Sequence, residues 1–182
     1  MFLKYNLNNL FMNLELFVLI LSFLGLIIGI FLGKVTKEEI KPGRKYFNYL
    51  QLLILITIII SLLFLVKFSL IFLLLLVIGF LFEIFVKYEK LYFYFGLYAL
   101  FSYLTSKDYL VLASSLIFIY GLTYGTLVYE NKKLINKTIL ISLVLFFITF
   151  LLLFNPVLIK NNVILGFLLG NFIGVLKRKL FK

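Results

Sequence analysis

Residues 24–33 read Leu-Gly-Leu-Ile-Ile-Gly-Ile-Phe-Leu-Gly, and residues 165–174 read Leu-Gly-Phe-Leu-Leu-Gly-Asn-Phe-Ile-Gly. The first sets Gly25, Gly29 and Gly33 four residues apart; the second does the same with Gly166, Gly170 and Gly174. A four-residue interval returns to one face of a helix, so each stretch is expected to be a helix with a smooth, side-chain-free face. In lipid, burying apolar side chains gives helices no reason to associate, and small residues at this spacing (the GxxxG pattern) let backbones approach and pack. The two stretches lie near the ends of the chain, each followed by basic residues. They are expected to run parallel with their glycine faces in contact. Gly121 and Gly125 are expected to add a third helix to the same seam.

Composition places these helices in a membrane. The chain has 182 residues, 64% of them hydrophobic and 14% charged, far from the usage of soluble domains. Apolar runs of membrane-crossing length recur along it, bounded by Lys or Asn. Seven spans result, at residues 16–33, 47–66, 70–86, 91–104, 109–129, 138–159 and 163–176, giving an all-α integral membrane bundle at 16–182. Residues 1–15, rich in both Asn and Leu or Phe, read as an N-terminal interfacial segment. The link from Lys34 to Tyr46 is the longest polar stretch. There Thr36 and Glu39 have the spacing of a capping box, and Pro42-Gly43 is expected to break the turn they start.

The fourth span is the shortest, since 14 helical residues cover about 21 Å of a ~30 Å apolar core. Charge decides whether it crosses. With seven spans, Lys34, Lys37, Lys41, Arg44, Lys45, Lys87, Lys90, Lys132, Lys133, Lys137, Lys177, Arg178, Lys179 and Lys182 share one side, fourteen of the eighteen cations. Without that crossing the division is nine to nine. Lys and Arg concentrate on the cytoplasmic side of short loops, so the N-terminus is expected outside and the C-terminus in the cytoplasm.

A formal charge of +11 raises nucleic acid as a partner. The cations are dealt out between apolar runs, however, and form no clustered stripe, so nucleic-acid binding is excluded. The basic link from Lys34 to Lys45 can hold anionic headgroups. The chain has no Cys and no His, which removes thiolate chemistry and the usual soft-metal ligands. No phosphate-cradling loop or acid pair at catalytic distance stands in the sequence. Neither a cofactor nor an enzymatic activity is expected.

Few residues remain that carry chemistry. Glu83 is the one acid inside an apolar run, four residues before Lys87, and an ion pair between them at the membrane interface is the plainer expectation; a proton- or cation-handling role is the sharper one. Asn171 falls near the middle of the last span, where its amide is expected to bond across to another helix. Thr57, Tyr120, Thr149 and Asn171 all lie near the middles of their spans, the depth at which secondary transporters keep substrate sites. The hydroxyls of the fifth span, from Ser114-Ser115 to Thr126, are expected to bond back to their own helix. Asn155-Pro156 is expected to kink the end of the sixth.

The string Glu38-Glu39-Ile40-Lys41-Pro42-Gly43-Arg44-Lys45-Tyr46-Phe47, with Tyr120-Gly121-Leu122-Thr123-Tyr124-Gly125-Thr126, resembles small uncharacterised multi-pass membrane proteins of archaea. The resemblance covers about 17 residues and implies a prokaryotic cell membrane, with no activity or functional residue to carry over.

Two function classes stay open. One is a non-enzymatic packing or assembly component that docks other membrane proteins, or a second copy, through a remaining small-residue face. The other is a compact permease-like module for a small neutral or weakly polar solute passing Asn171 and Tyr120. A solvated pocket reaching Asn171 favours the second; a dry seam favours the first.

Overall fold

The computed structural model describes residues 2–66, 68–85, 91–130, 135–149, 151 and 162–181, with the backbone alone for 2–16 and 162–163. Among these residues the chain is helical, without strands. We number the helices α1 (Phe2–Val35), α2 (Ile40–Leu65), α3 (Leu70–Phe85), α4 (Leu91–Thr105), α5 (Lys107–Val128), α6 (Ile135–Ile148) and α7 (Asn162–Leu180). Three stretches are long and apolar enough to cross a membrane, Phe17–Val35, Ile40–Leu65 and Lys107–Val128; Leu70–Phe85, Leu91–Thr105 and Ile135–Ile148 are shorter apolar helices.

α1 is continuous from Phe2, so the backbone shows no break between residues 1–15 and the apolar run that follows. The next link is shorter than its polarity suggests. α2 opens at Ile40 and takes in Pro42 and Gly43, which therefore do not break the chain. Proline in a first helical turn forfeits only an N–H that has no partner within the helix. The capping box does not form: the Thr36 hydroxyl donates to the Leu32 carbonyl of α1, and Glu39 makes no capping bond. At the other end, Ser106 caps α5 by accepting from the Tyr109 N–H. The Asn155-Pro156 kink lies outside the described residues.

The glycine face of α1 meets that of α5, as a seam shared by the two would have it, but it does not meet that of α7. Cβ atoms placed on Gly25 and Gly29 would stand 2.8 Å from the Cα atoms of Phe118 and Leu122, and one on Gly33 2.8 Å from the Tyr129 Cβ. α5 reciprocates, with Gly121 and Gly125 set against Leu26 and Ile30. The face of α7 packs instead on α3: Gly166 against Phe72, Gly170 against Phe80 and Gly174 against Glu83. Gly79, alone in the Leu-rich α3, answers it by lying on the Phe167 backbone. The expected seam between the first and last helices is thus replaced by two pairs, α1 with α5 and α3 with α7. A missing side chain lets a backbone come close but does not choose which one, and each face found a helix with a glycine of its own.

The order of these contacts makes both pairs parallel. α2 runs against them, because Arg44 in its first turn bonds Glu130 beyond the end of α5 (2.5 Å) and Gln51 meets Lys179 near the end of α7. α4 begins beside the end of α3, through Tyr94 and Glu83, and its Tyr98 meets Ser61 late in α2. Hence α1, α3, α5 and α7 point one way and α2 and α4 the other.

α4 is the axis of the bundle. From Tyr92 to Ser102 every residue except Phe93 is buried, and both alanines of the chain, Ala99 and Ala113, are fully enclosed. A helix covered on all sides need not match the bilayer thickness by itself. Gly96 lets α6 approach it at Phe146 and Thr149.

Candidate functional site

Polar side chains are held inside this bundle, while large apolar ones line much of its flank. Ser22, Gln51, Ser61, Glu83, Ser102, Ser114, Thr123, Thr126, Ser142, Thr149 and Asn171 are buried, while Leu53, Ile60, Phe64, Ile71, Leu74 and Val77 are exposed. Burial in a hydrogen-bonded interior is what polar groups require when the surroundings cannot solvate them.

Hydroxyls on the faces of helices mostly satisfy themselves locally. Thr57 donates to Leu53 O (3.0 Å), Ser115 to Val111 O (2.8 Å), Thr123 to Tyr120 O (2.9 Å) and Thr149 to Phe146 O (2.7 Å). Thr126 does this and also reaches Gly29 O on α1 at 3.1 Å, clipping the α1–α5 pair. The Asn171 amide donates to Phe167 O of its own helix (2.7 Å), so the expected bond to another helix is absent among the described contacts; its Oδ1 and the Ser114 hydroxyl are buried without a hydrogen-bond partner. Thr57, Thr149 and Asn171 thus each bond a carbonyl three or four residues back, and Tyr120 lies among aromatic rings.

What fills the centre is aromatic. Tyr92 lies edge-on to Phe23 and Phe95, Phe95 edge-on to Tyr120 (4.9 Å between centroids), and Phe172 touches Tyr94, Phe95 and Tyr98. Edge-on rings suit the quadrupole of each partner. They seat α4 among α1, α5 and α7.

The polar groups that do converge lie where α3 and α7 end. Glu83 is 1% exposed and pairs with Arg178 of α7 through Oε1, while its Oε2 accepts from the Tyr94 hydroxyl of α4 at 2.7 Å. Arg178 and Tyr94 thus hold Glu83 from within the bundle; the expected pair with Lys87 lies outside the described residues. On the other flank of α7, the Lys179 ammonium donates to Gln51 Oε1 and stands 5.0 Å from the centroid of the Tyr120 ring. Lys177 extends over Phe80 of α3 at 5.3 Å. Three successive cations thus spread from one helix end to α3, to the buried carboxylate and to α2. Between α3 and α7 they leave an open recess of about 310 Å³ lined by Glu83, Ile84, Gly174, Lys177, Arg178 and Phe181.

Tyr94, Arg178, Gln51 and Lys179 were not singled out by the sequence, although signals exist. Gln51 is the only glutamine in the chain, and it interrupts an apolar run. Arg44 and Arg178 are the only arginines against sixteen lysines, and each binds a glutamate. A guanidinium keeps its charge and offers a fixed fork of donors, which suits a pair locked between helices.

Among the described residues no group of three or more Asp or Glu side chains could hold a metal ion. No protein-family profile, curated protein or solved structure matches the chain.

Proposed function

We propose that this chain is an integral protein of a prokaryotic cell membrane, of the archaeal type it resembles, crossing it seven times with the N-terminus outside. We propose further that its role is non-enzymatic, as a rigid packing or assembly component. Polar side chains held inside and large apolar ones along the flank support the membrane setting. Helix direction supports the number of crossings: α1, α3 and α5 point one way and α2 and α4 the other, the alternation expected if the short α4 crosses as well. Fourteen cations then share the cytoplasmic side.

The observation that carries the structural role is the closed centre. Asn171 is 0% exposed, aromatic rings surround α4, and the recess at the helix ends does not include Asn171. Ten of the eleven glycines are spent on contacts that a Cβ would bring closer than 3.0 Å, and the exception, Gly43, faces the Phe47 ring of its own helix. No small-residue face is left to dock a partner. That task falls to the exposed apolar side of α3, where Leu73, Leu74, Val77 and Leu81 stand clear of the bundle.

One observation favours the second reading, a permease-like module: the buried Glu83–Arg178 pair opens onto a recess, and an ionic group within a bundle often marks a transport path. Asn171→Cys separates the two in a chain that has no native cysteine. The structural role predicts a thiol inert to aqueous maleimide from both sides and a partner captured from gentle detergent. A reactive thiol, with solute flux through proteoliposomes, sinks that role.

A further inference from the structure

The recess between the ends of α3 and α7 combines two chemistries. Lys177 and Arg178 supply N–H donors; Ile84 and Phe181, 44% and 83% exposed, supply an apolar wall beside them. Gly174 keeps the floor open, since a side chain there would collide with Glu83. The charge is positive on balance. Lys177 and Arg178 stand against one carboxylate, that of Glu83, so the lining side chains carry one positive charge in excess. Arg178 gives one terminal nitrogen to Glu83 and keeps its side chain 32% exposed, so donors remain for a further acceptor. A volume of about 310 Å³ equals roughly ten water molecules, more than a phosphate group needs.

We infer that this recess binds the phosphate-bearing headgroup of an anionic lipid, with Lys177 and Arg178 on the phosphate and with Ile84 and Phe181 against the start of the acyl chain. The inference rests on the membrane reading above. It differs from attraction by the basic link at residues 34–45, which offers charge without a recess. The apolar wall is what selects a lipid over free phosphate, because inorganic phosphate has nothing to place there.

The test uses the full chain extracted from membranes in mild detergent, with bound lipid counted by native mass spectrometry. Phosphatidylglycerol is expected to be retained over phosphatidylcholine. Lys177→Ala is expected to lower its affinity about fivefold, the worth of one cation near a membrane surface, and Phe181→Ser to lower it as well. Lys41→Ala is expected to leave it unchanged. Both Lys177 and Phe181 are exposed, so neither variant threatens the fold. Equal retention of the two lipids, displacement by millimolar inorganic phosphate, or equal losses in Lys177→Ala and Lys41→Ala overturn the inference while leaving the membrane reading intact. Recovery of the chain from the soluble fraction overturns both.

Discussion

Glu83 of α3 and Arg178 of α7, ninety-five residues apart, form an ion pair whose carboxylate is almost wholly enclosed and is also bonded by Tyr94 of α4. The pair fastens three helices at one end of the bundle. Its partners lie too far apart in sequence for i, i+4 spacing to reveal.

Removing one member of such a pair leaves an uncompensated charge. Arg178→Ala is expected to cost about 3–5 kcal/mol, whereas replacing both members by neutral residues of similar volume, as in Glu83→Gln with Arg178→Met, is expected to recover most of that loss. Unfolding in detergent for the two singles and the double measures this. A double variant as unstable as the worse single contradicts the pairing.

The glycine seams give a sharper contrast. Gly29→Leu forces α1 off the α5 backbone and Gly170→Leu forces α7 off α3; overpacking of this kind costs about 1–3 kcal/mol or more. Gly43→Ala meets only the Phe47 ring, at 3.3 Å, and is expected to change stability by less than about 1 kcal/mol. Thermal shifts for the three variants rank the sites.

Ser61 and Tyr98 share a buried hydrogen bond of 2.6 Å between α2 and α4. A double-mutant cycle with Ser61→Ala and Tyr98→Phe is expected to give a coupling of about 0.6 kcal/mol, typical of interhelical bonds in lipid. A coupling of zero means that the two hydroxyls do not meet in the membrane.

Much of the architecture was legible in the sequence because two signals repeat: apolar runs give helices, and the Lys-rich links give their ends. α3 and α4 end within one residue of where the runs do, as far as the described residues extend. Partner choice was not legible. Gly25-Gly29-Gly33 announces a close approach without naming the helix approached, and the deciding residue on α3 was a lone Gly79 that forms no repeat. The central place of α4 did have a signature, in Tyr92, Tyr94, Tyr98, Ala99 and Ser102, a set too polar and too small for a helix facing lipid. Proline misled at residue 42, where position within the turn outweighs residue type. The partners of Thr57, Thr149 and Asn171 were not legible either, because a hydroxyl or amide on a helix can bond a carbonyl one turn back as well as a neighbouring helix.

The proposal of seven alternating crossings is tested most directly by labelling single cysteines with a membrane-impermeant maleimide. Lys107→Cys, at the start of α5, is expected to react in intact cells; Lys37→Cys and Phe181→Cys are expected to react only after the membrane is opened. Labelling of Lys37→Cys and Lys107→Cys from the same side would mean that the chain does not reverse at α4, and it would contradict the parallel α1–α5 pair on which the rest is built.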